Sequence, residues 1–116
     1  MKNLRFKFRV WYEGKIYEVH ELNITGNTVA IISPSFPFIQ DILHYSLMQY
    51  TGLKDRNGEE IWEGDILQDA RNPEDISVVK WDEGLAGFMV PLKSYCERWY
   101  EVIGNVYENS ELFNTE

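Results

Sequence analysis

The chain has 116 residues and a mass of 13.7 kDa, one domain by size and long enough to bury a core without staples. Its formal charge is −8: residues 1–20 hold five basic and two acidic side chains, net +3, whereas residues 21–116 hold six and seventeen, net −11. The acidic bulk argues against a sequence-independent grip on nucleic acid, the single cysteine (Cys96) excludes an intrachain disulfide, and no run reaches the length of a membrane span.

In chain order, the start lacks the apolar core of a signal peptide, so the expected compartment is the cytoplasm. Residues 4–12 alternate, with Phe6, Phe8, Val10 and Tyr12 on one face and Arg5, Lys7, Arg9 and Trp11 on the other. Glu13-Gly14-Lys15 turns the chain and Ile16–Leu22 returns as the second arm of a hairpin. The Arg5/Lys7/Arg9 row is either a solvated face with edge protection, the more frequent case, or a binding strip. Thr25-Gly26-Asn27 is a further turn into a third strand, Thr28–Ile32. Pro34 and Pro37 break the ladder because each lacks an amide proton. Phe38, Ile42 and Tyr45 then recur at helical spacing, which suits one or two helical turns crossing over.

The most informative stretch is residues 47–67, LMQYTGLKDRNGEEIWEGDIL. Asn57-Gly58 between apolar runs predicts a hairpin with a type I′ turn, which needs positive φ at both central residues. Met48–Lys54 therefore pairs with Glu60–Trp62 across Asp55–Gly58. Large residues on both sides of the first strand suggest a central position. Gly64 can take the left-handed conformation, and the Asp65 carboxylate can accept nearby backbone N–H groups and close a second turn. Ile66 and Leu67 then re-enter the core.

Gln68–Asp75 is polar, with Asn72-Pro73 as a turn, and is the expected mobile loop. Ile76–Trp81 is β-rich, Asp82-Glu83-Gly84 turns it back, and Gly87–Leu92 follows as a strand that Pro91 pushes toward an edge. Ser94–Tyr100 fits either a short helical turn or a strand. Val102–Tyr107 is the last strand, with Gly104 marking a bulge or a close backbone approach. Asn109–Glu116 leaves the domain, with Leu112 and Phe113 available to dock.

Tyr50-Thr51-Gly52-Leu53-Lys54-Asp55, then Asn57-Gly58, Ile61 and Glu63-Gly64-Asp65-Ile66, resembles the signature of the YopX family of small phage and prophage proteins. The opening Arg5–Trp11, the middle Val78–Asp82 with Gly87-Phe88, and the end Glu101–Asn109 with Leu112 resemble the family in the same order. Residues 20–46 carry no matching motif. The resemblance implies a mobile-element origin and a mainly β fold, and it implies no reaction.

The expected architecture is a small SH3-like or partly open β-barrel in a single domain. An N-terminal hairpin and third strand occupy residues 1–33, a proline-containing crossover 34–46, a β-meander with the family motif 47–107, and a tail 108–116. Gly52, Asn57, Gly58, Glu63, Gly64, Asp65 and Gly104 are the motif's turn residues.

Chemistry is sparse. Glu63 and Asp65 share a turn, but a catalytic carboxylate pair needs environments that drive its pKa values apart, and a tight glycine turn more often uses such groups as caps. His20 and His44 lack partners at metal-ligand spacing, and Cys96 lacks a nucleophile signature. No phosphate loop, nucleophile elbow or Ser/His/Asp arrangement occurs. The expectation is no enzyme, no cofactor, no metal and no small-molecule substrate. The aromatic fraction of 15% is high; sheet packing accounts for most of it and for at least two of the four Trp, and Trp11, Trp62 and Trp81 join Arg5, Lys7 and Arg9 as the candidate interaction surface. Acidic neighbours of Trp62 and Trp81 disfavour base stacking. The expected role is a non-catalytic module working through a protein partner, self-association or both. A nucleic-acid module built on the basic row is the alternative.

Overall fold

The computed structural model describes residues 7–12, 14–19, 21–25, 28–32, 39–40 and 46–112; for 12, 21–25, 28–32, 39–40, 46 and 110 only the backbone is described. Among the described residues the fold is mainly β with one short α-helix, in keeping with the mainly β fold that the sequence predicts, and the chain divides into two compact units, Met1–Gln49 and Tyr50–Glu116. Arg5, Glu13, His20, Gly26-Asn27, His44, Phe113 and residues 34–38 and 41–45 of the proline-containing segment lie outside the described residues, and at Ile39–Gln40, where helical spacing suggested a helical turn, the backbone is a strand.

In the first unit, β1 (Phe8–Tyr12) pairs antiparallel with β2 (Lys15–Glu18), Val10 opposite Tyr17, across a turn where Gly14 has φ 86°. Gly14 is the residue that can hold that angle without strain. The first half of β6 (Ser46–Lys54) pairs with β1 on its other edge, Val10 opposite Leu47. Val10 and Met48 are fully buried. The return arm expected at Ile16–Leu22 stops at Glu18, and a separate strand, β3 (Glu21–Thr25), pairs with β4 (Thr28–Ile32), which also pairs with β5 (Ile39–Gln40).

In the second unit, the end of β6 pairs with β7 (Glu60–Trp62), Lys54 opposite Glu60 and Leu53 opposite Ile61. The hairpin is the one expected, but its turn is not type I′. Gly58 has φ 84° while Asn57 keeps a negative φ, and the Gly58 N–H reaches the Asp55 carbonyl at 3.0 Å. A longer loop needs only one left-handed residue, and the Asp55 side chain supplies the rest of the ordering. A bulge at Thr51-Gly52 precedes it: Gly52 has φ 90°, and the Thr51 hydroxyl donates to the Ile61 carbonyl at 2.7 Å.

β8 (Asp65–Asp69) is the middle strand of a three-stranded sheet, flanked by β9 (Asn72–Val78) and β12 (Tyr100–Asn105). Ile66 and Leu67 point to opposite faces and both are fully buried, as a central strand covered on both sides requires. Each such side chain contributes about 1.5–3 kcal/mol through removal from water. The polar stretch expected as a mobile loop is instead the end of β8 and the start of β9. The chain reverses at Ala70-Arg71, not at Asn72-Pro73, because Asp69 caps that tighter corner. Pro73 is tolerated in β9 because that strand is the outermost of the three.

The expected Ile76–Trp81 strand breaks at Val79, after which β10 (Lys80–Asp82) pairs with β11 (Gly87–Met89) as a two-stranded ribbon. Its turn spans Glu83–Ala86, ending two residues beyond the expected Gly84, with Ala86 at φ 53° and the Asp82 carboxylate accepting the Leu85 N–H at 3.0 Å. Pro91 lies beyond β11, which ends at Met89, so it marks the exit toward α1 (Lys93–Trp99) and not a strand edge. The open choice for Ser94–Tyr100 resolves as helix to Trp99 and strand from Tyr100. β12 stops at Asn105, two residues short of expectation, because the Asn105 side chain accepts the N–H groups of Tyr107 and Glu108 and curls the chain away. The register of β12 against β8 shifts between Val102 and Gly104, the bulge read from that glycine. Ile61, Leu67, Val79 and Cys96 form the buried core of this unit.

Candidate functional site

The acidic residues of the central stretch are built into corners. Asp55, 3% exposed, accepts the N–H groups of Asn57 and Glu59 on Oδ1, at 2.8 and 2.9 Å, and that of Val102 on Oδ2 at 2.9 Å. Beside it, the Arg56 N–H donates to the Tyr100 carbonyl at 2.9 Å, so the loop docks on the start of β12. One carboxylate therefore ties the hairpin turn to a strand 47 residues away in sequence.

Asp65 accepts the Trp62 N–H on Oδ2 at 2.7 Å and is almost wholly buried. Gly64, at φ 90°, donates its N–H to the Val79 carbonyl and offers its own carbonyl to the Val106 N–H. The Glu63-Gly64-Asp65 corner thus joins three segments, and the capping role predicted for Asp65 holds. Glu63 is half-buried and does not share Asp65's environment. Asp69 receives the Arg71 N–H at 2.8 Å and its guanidinium through two further contacts, at 3.1 and 2.9 Å. That hydrogen-bonded guanidinium holds the Asp69 carboxyl below its usual range and raises Arg71. The Arg71 guanidinium also lies 4.6 Å from the centre of the Trp99 ring, a cation–π contact.

Gly104 is required by closeness. A Cβ there would overlap the Asn109 side chain, which accepts the Asn105 N–H at 3.2 Å. Cys96 is fully buried, its thiol donates to the Pro91 carbonyl at 3.4 Å, and burial pushes its pKa up to about 11. That environment opposes thiolate chemistry. Among the described residues, no group of three or more His, Cys, Asp or Glu side chains is placed to hold a metal, and no helix is long and apolar enough to cross a membrane.

The residues singled out as an interaction surface do not share one surroundings. Lys7 immediately precedes β1, Arg9 and Trp11 lie on it in the first unit, and all three are half-buried and not openly solvated. Trp62 packs against Tyr50 with ring centres 5.5 Å apart, and Trp81 meets Phe88 edge-on at 5.2 Å. Of the candidates described, Trp81 is the exposed one, at 47%.

Trp81 has exposed apolar company that sequence reasoning passed over. Leu85 is 74% exposed, Leu92 70% and Met89 48%. They cluster along the β10–β11 ribbon and its exit. An open groove of about 410 Å³ runs here, with Ser77 and Val78 from β9 and Phe88 and Met89 from β11 among its lining. Leu85, Val90 and Pro91 complete it. The sequence signal was present, since Leu85 sits inside a Glu-Gly-Leu-Ala-Gly turn where solvation favours a polar residue. The lining supplies apolar contact and a strand edge, without a convergent set of acid–base groups.

A family model described as YopX protein matches residues 7–114. The crystal structure of protein EF1440 from Enterococcus faecalis is similar at 30% sequence identity and a TM-score of 0.61, covering 93% of this chain and 97% of that one. No curated protein matches the chain.

Proposed function

The chain belongs to the YopX family, and we propose that it is a non-catalytic accessory module of a phage or prophage that works in the host cytoplasm through protein contacts. The observation carrying this reading is the exposure of Leu85 and Met89 in the lining of an open groove, with exposed Trp81 paired to the lining residue Phe88 and exposed Leu92 following Pro91. Surface apolar residues scattered singly need no explanation, but a group of them along one groove is the usual mark of a contact face. The division of labour among the carboxylates supports the same reading. Asp55 and Asp65 accept backbone N–H groups, and Asp69 accepts a backbone N–H and the Arg71 guanidinium, which leaves all three poorly suited to proton transfer.

Site-specific photo-cross-linking tests it. A photoreactive phenylalanine analogue is placed at Leu85 or Met89 in cells carrying the protein, with exposed Asn57 as control. Adducts from the two groove positions and none from Asn57 are expected. An adduct of twice the chain mass identifies self-association, and a different mass identifies a heterologous partner. No adduct above the control ends the protein-contact reading.

The basic row near the N-terminus offers weaker grounds for nucleic acid, since Lys7 and Arg9 are half-buried and residues 50–116 carry six basic against fifteen acidic side chains. A low-salt gel shift with single- and double-stranded DNA and RNA is expected to show no retardation.

A further inference from the structure

We propose that the groove between β9 and β11 takes an extended, apolar segment of a partner protein that carries Lys or Arg at alternate positions. This rests on the protein-contact reading above and gives it a partner chemistry. Three observations lead there.

The first is a strand edge with no partner strand among the described residues. β9 is the outermost strand of the order β12-β8-β9, and its Ser77 and Val78 line the groove. An edge strand presents backbone N–H and C=O groups that an extended peptide can pair with, and the alternate side chains of such a peptide then enter the groove. Along β9 only the last part is regular. Its register against β8 jumps from Asp69 opposite Asn72 to Gln68 opposite Ile76, so Pro73, Glu74 and Asp75 bulge out. The usable edge is short and begins at Ile76.

The second is the apolar floor. Val78, Phe88 and Val90 are half-buried and Leu85 and Met89 are exposed, so an apolar side chain entering the groove is covered from both strands.

The third is charge. Between residues 74 and 93 the charged side chains are Glu74, Asp75, Lys80, Asp82, Glu83 and Lys93, four acids against two bases. Glu74, Asp75 and Glu83 are exposed, two of them in the bulge that precedes this edge and one in the turn that carries Leu85. Acids beside an edge repel a second copy of this acidic chain, the ordinary protection against edge-to-edge pairing. The same charges attract a basic strand. Exclusion of self and selection of a basic partner are one device.

The test uses the full chain and a fluorescent seven-residue peptide, the length of β9, alternating Val and Lys. The controls are the Val/Glu counterpart and a Val/Lys version N-methylated on alternate amides. Binding is read by fluorescence anisotropy, and the site by amide chemical shifts. The Val/Lys peptide is expected to bind saturably, with shifts confined to residues 76–78 and 85–91. Its affinity should fall about tenfold when salt is raised or when Glu74→Lys and Asp75→Lys are combined, exposed changes that leave the fold intact. The Glu peptide and the N-methylated peptide should bind at least about tenfold more weakly. No binding of the Val/Lys peptide, equal binding of all three, or shifts outside the groove overturns the proposal. Groove adducts with a heterologous protein, combined with failure of the basic peptide, would sink this proposal and leave the contact reading standing.

Discussion

Replacing Asp55 tests the claim that this carboxylate is a structural tie. In Asp55→Ala three backbone N–H groups lose their acceptor: Asn57 and Glu59 in the turn, and Val102 in β12. Asn57 and Glu59 are exposed, so water replaces part of what is lost and each costs about 1 kcal/mol, as for a lost helix cap. The Val102 N–H is half-buried, and an unsatisfied donor there costs about 1–3 kcal/mol. The expected loss is about 3–5 kcal/mol, a large share of the 5–15 kcal/mol typical of a domain. With a urea slope near 2 kcal/mol per molar, the midpoint should fall by roughly 2 M. Asp55→Asn keeps the shape but sets an NH₂ against an N–H on one side, so it should lose about half as much. Hydrogen exchange supplies the second readout: the Val102 amide should exchange much faster in either variant. If Asp55→Ala stays within about 0.5 kcal/mol of the parent, or the Val102 amide keeps its protection, the tie is not what orders this corner.

Four further outcomes follow from the same geometry. Gly104→Ala should cost about 1–3 kcal/mol in urea unfolding, since its new methyl meets the Asn109 side chain, and pairing it with Asn109→Ala should recover part of the loss. Gly64→Ala, forced to φ 90°, should destabilise by at least about 1 kcal/mol, whereas Glu63→Gln next to it should change stability by less than about 0.5 kcal/mol. The folded Cys96 thiol titrates near 11 against an ordinary 9.0, so its contribution is complete below pH 9 and is lost as the pH climbs toward 11; the Cys96→Ser variant should lack that part of the decline, and iodoacetamide at neutral pH should modify the parent only after unfolding. Asp69 is held below its ordinary 3.8, so its contribution is present above that value and is lost as the pH falls through the folded value. Acid-unfolding curves of Asp69→Asn should lack that component, and identical curves for parent and variant would contradict it.

Which features were readable in advance follows from the distance over which each interaction acts. Gly64 and the Asp65 cap were legible because a positive φ and an Asx-type bond act within three positions of each other, and Gly104 because a glycine inside a strand by itself marks a bulge or a close approach. Asn57-Gly58 marked the right hairpin but suggested the wrong turn, because dipeptide preference knows nothing of the Asp55 oxygens that hold a longer loop. Asn72-Pro73 misled for a related reason. A proline signals a break only where the ladder needs its missing N–H, and at the outer strand of a sheet it does not.

The chain's own order of residues determined the β-rich composition, the positions of most reversals and the acidic surface, since alternation, glycine and charge are local properties. Tertiary structure alone decided that β8 lies between β9 and β12, that Asp55 reaches Val102, and that Leu85, Met89 and Leu92 stay exposed beside the groove. Those outcomes depend on which distant segments meet and which apolar side chains are left over once the core of Ile61, Leu67, Val79 and Cys96 is filled. A finite core cannot enclose every apolar residue of a small domain, and chain closure, not local preference, selects the ones that remain in water.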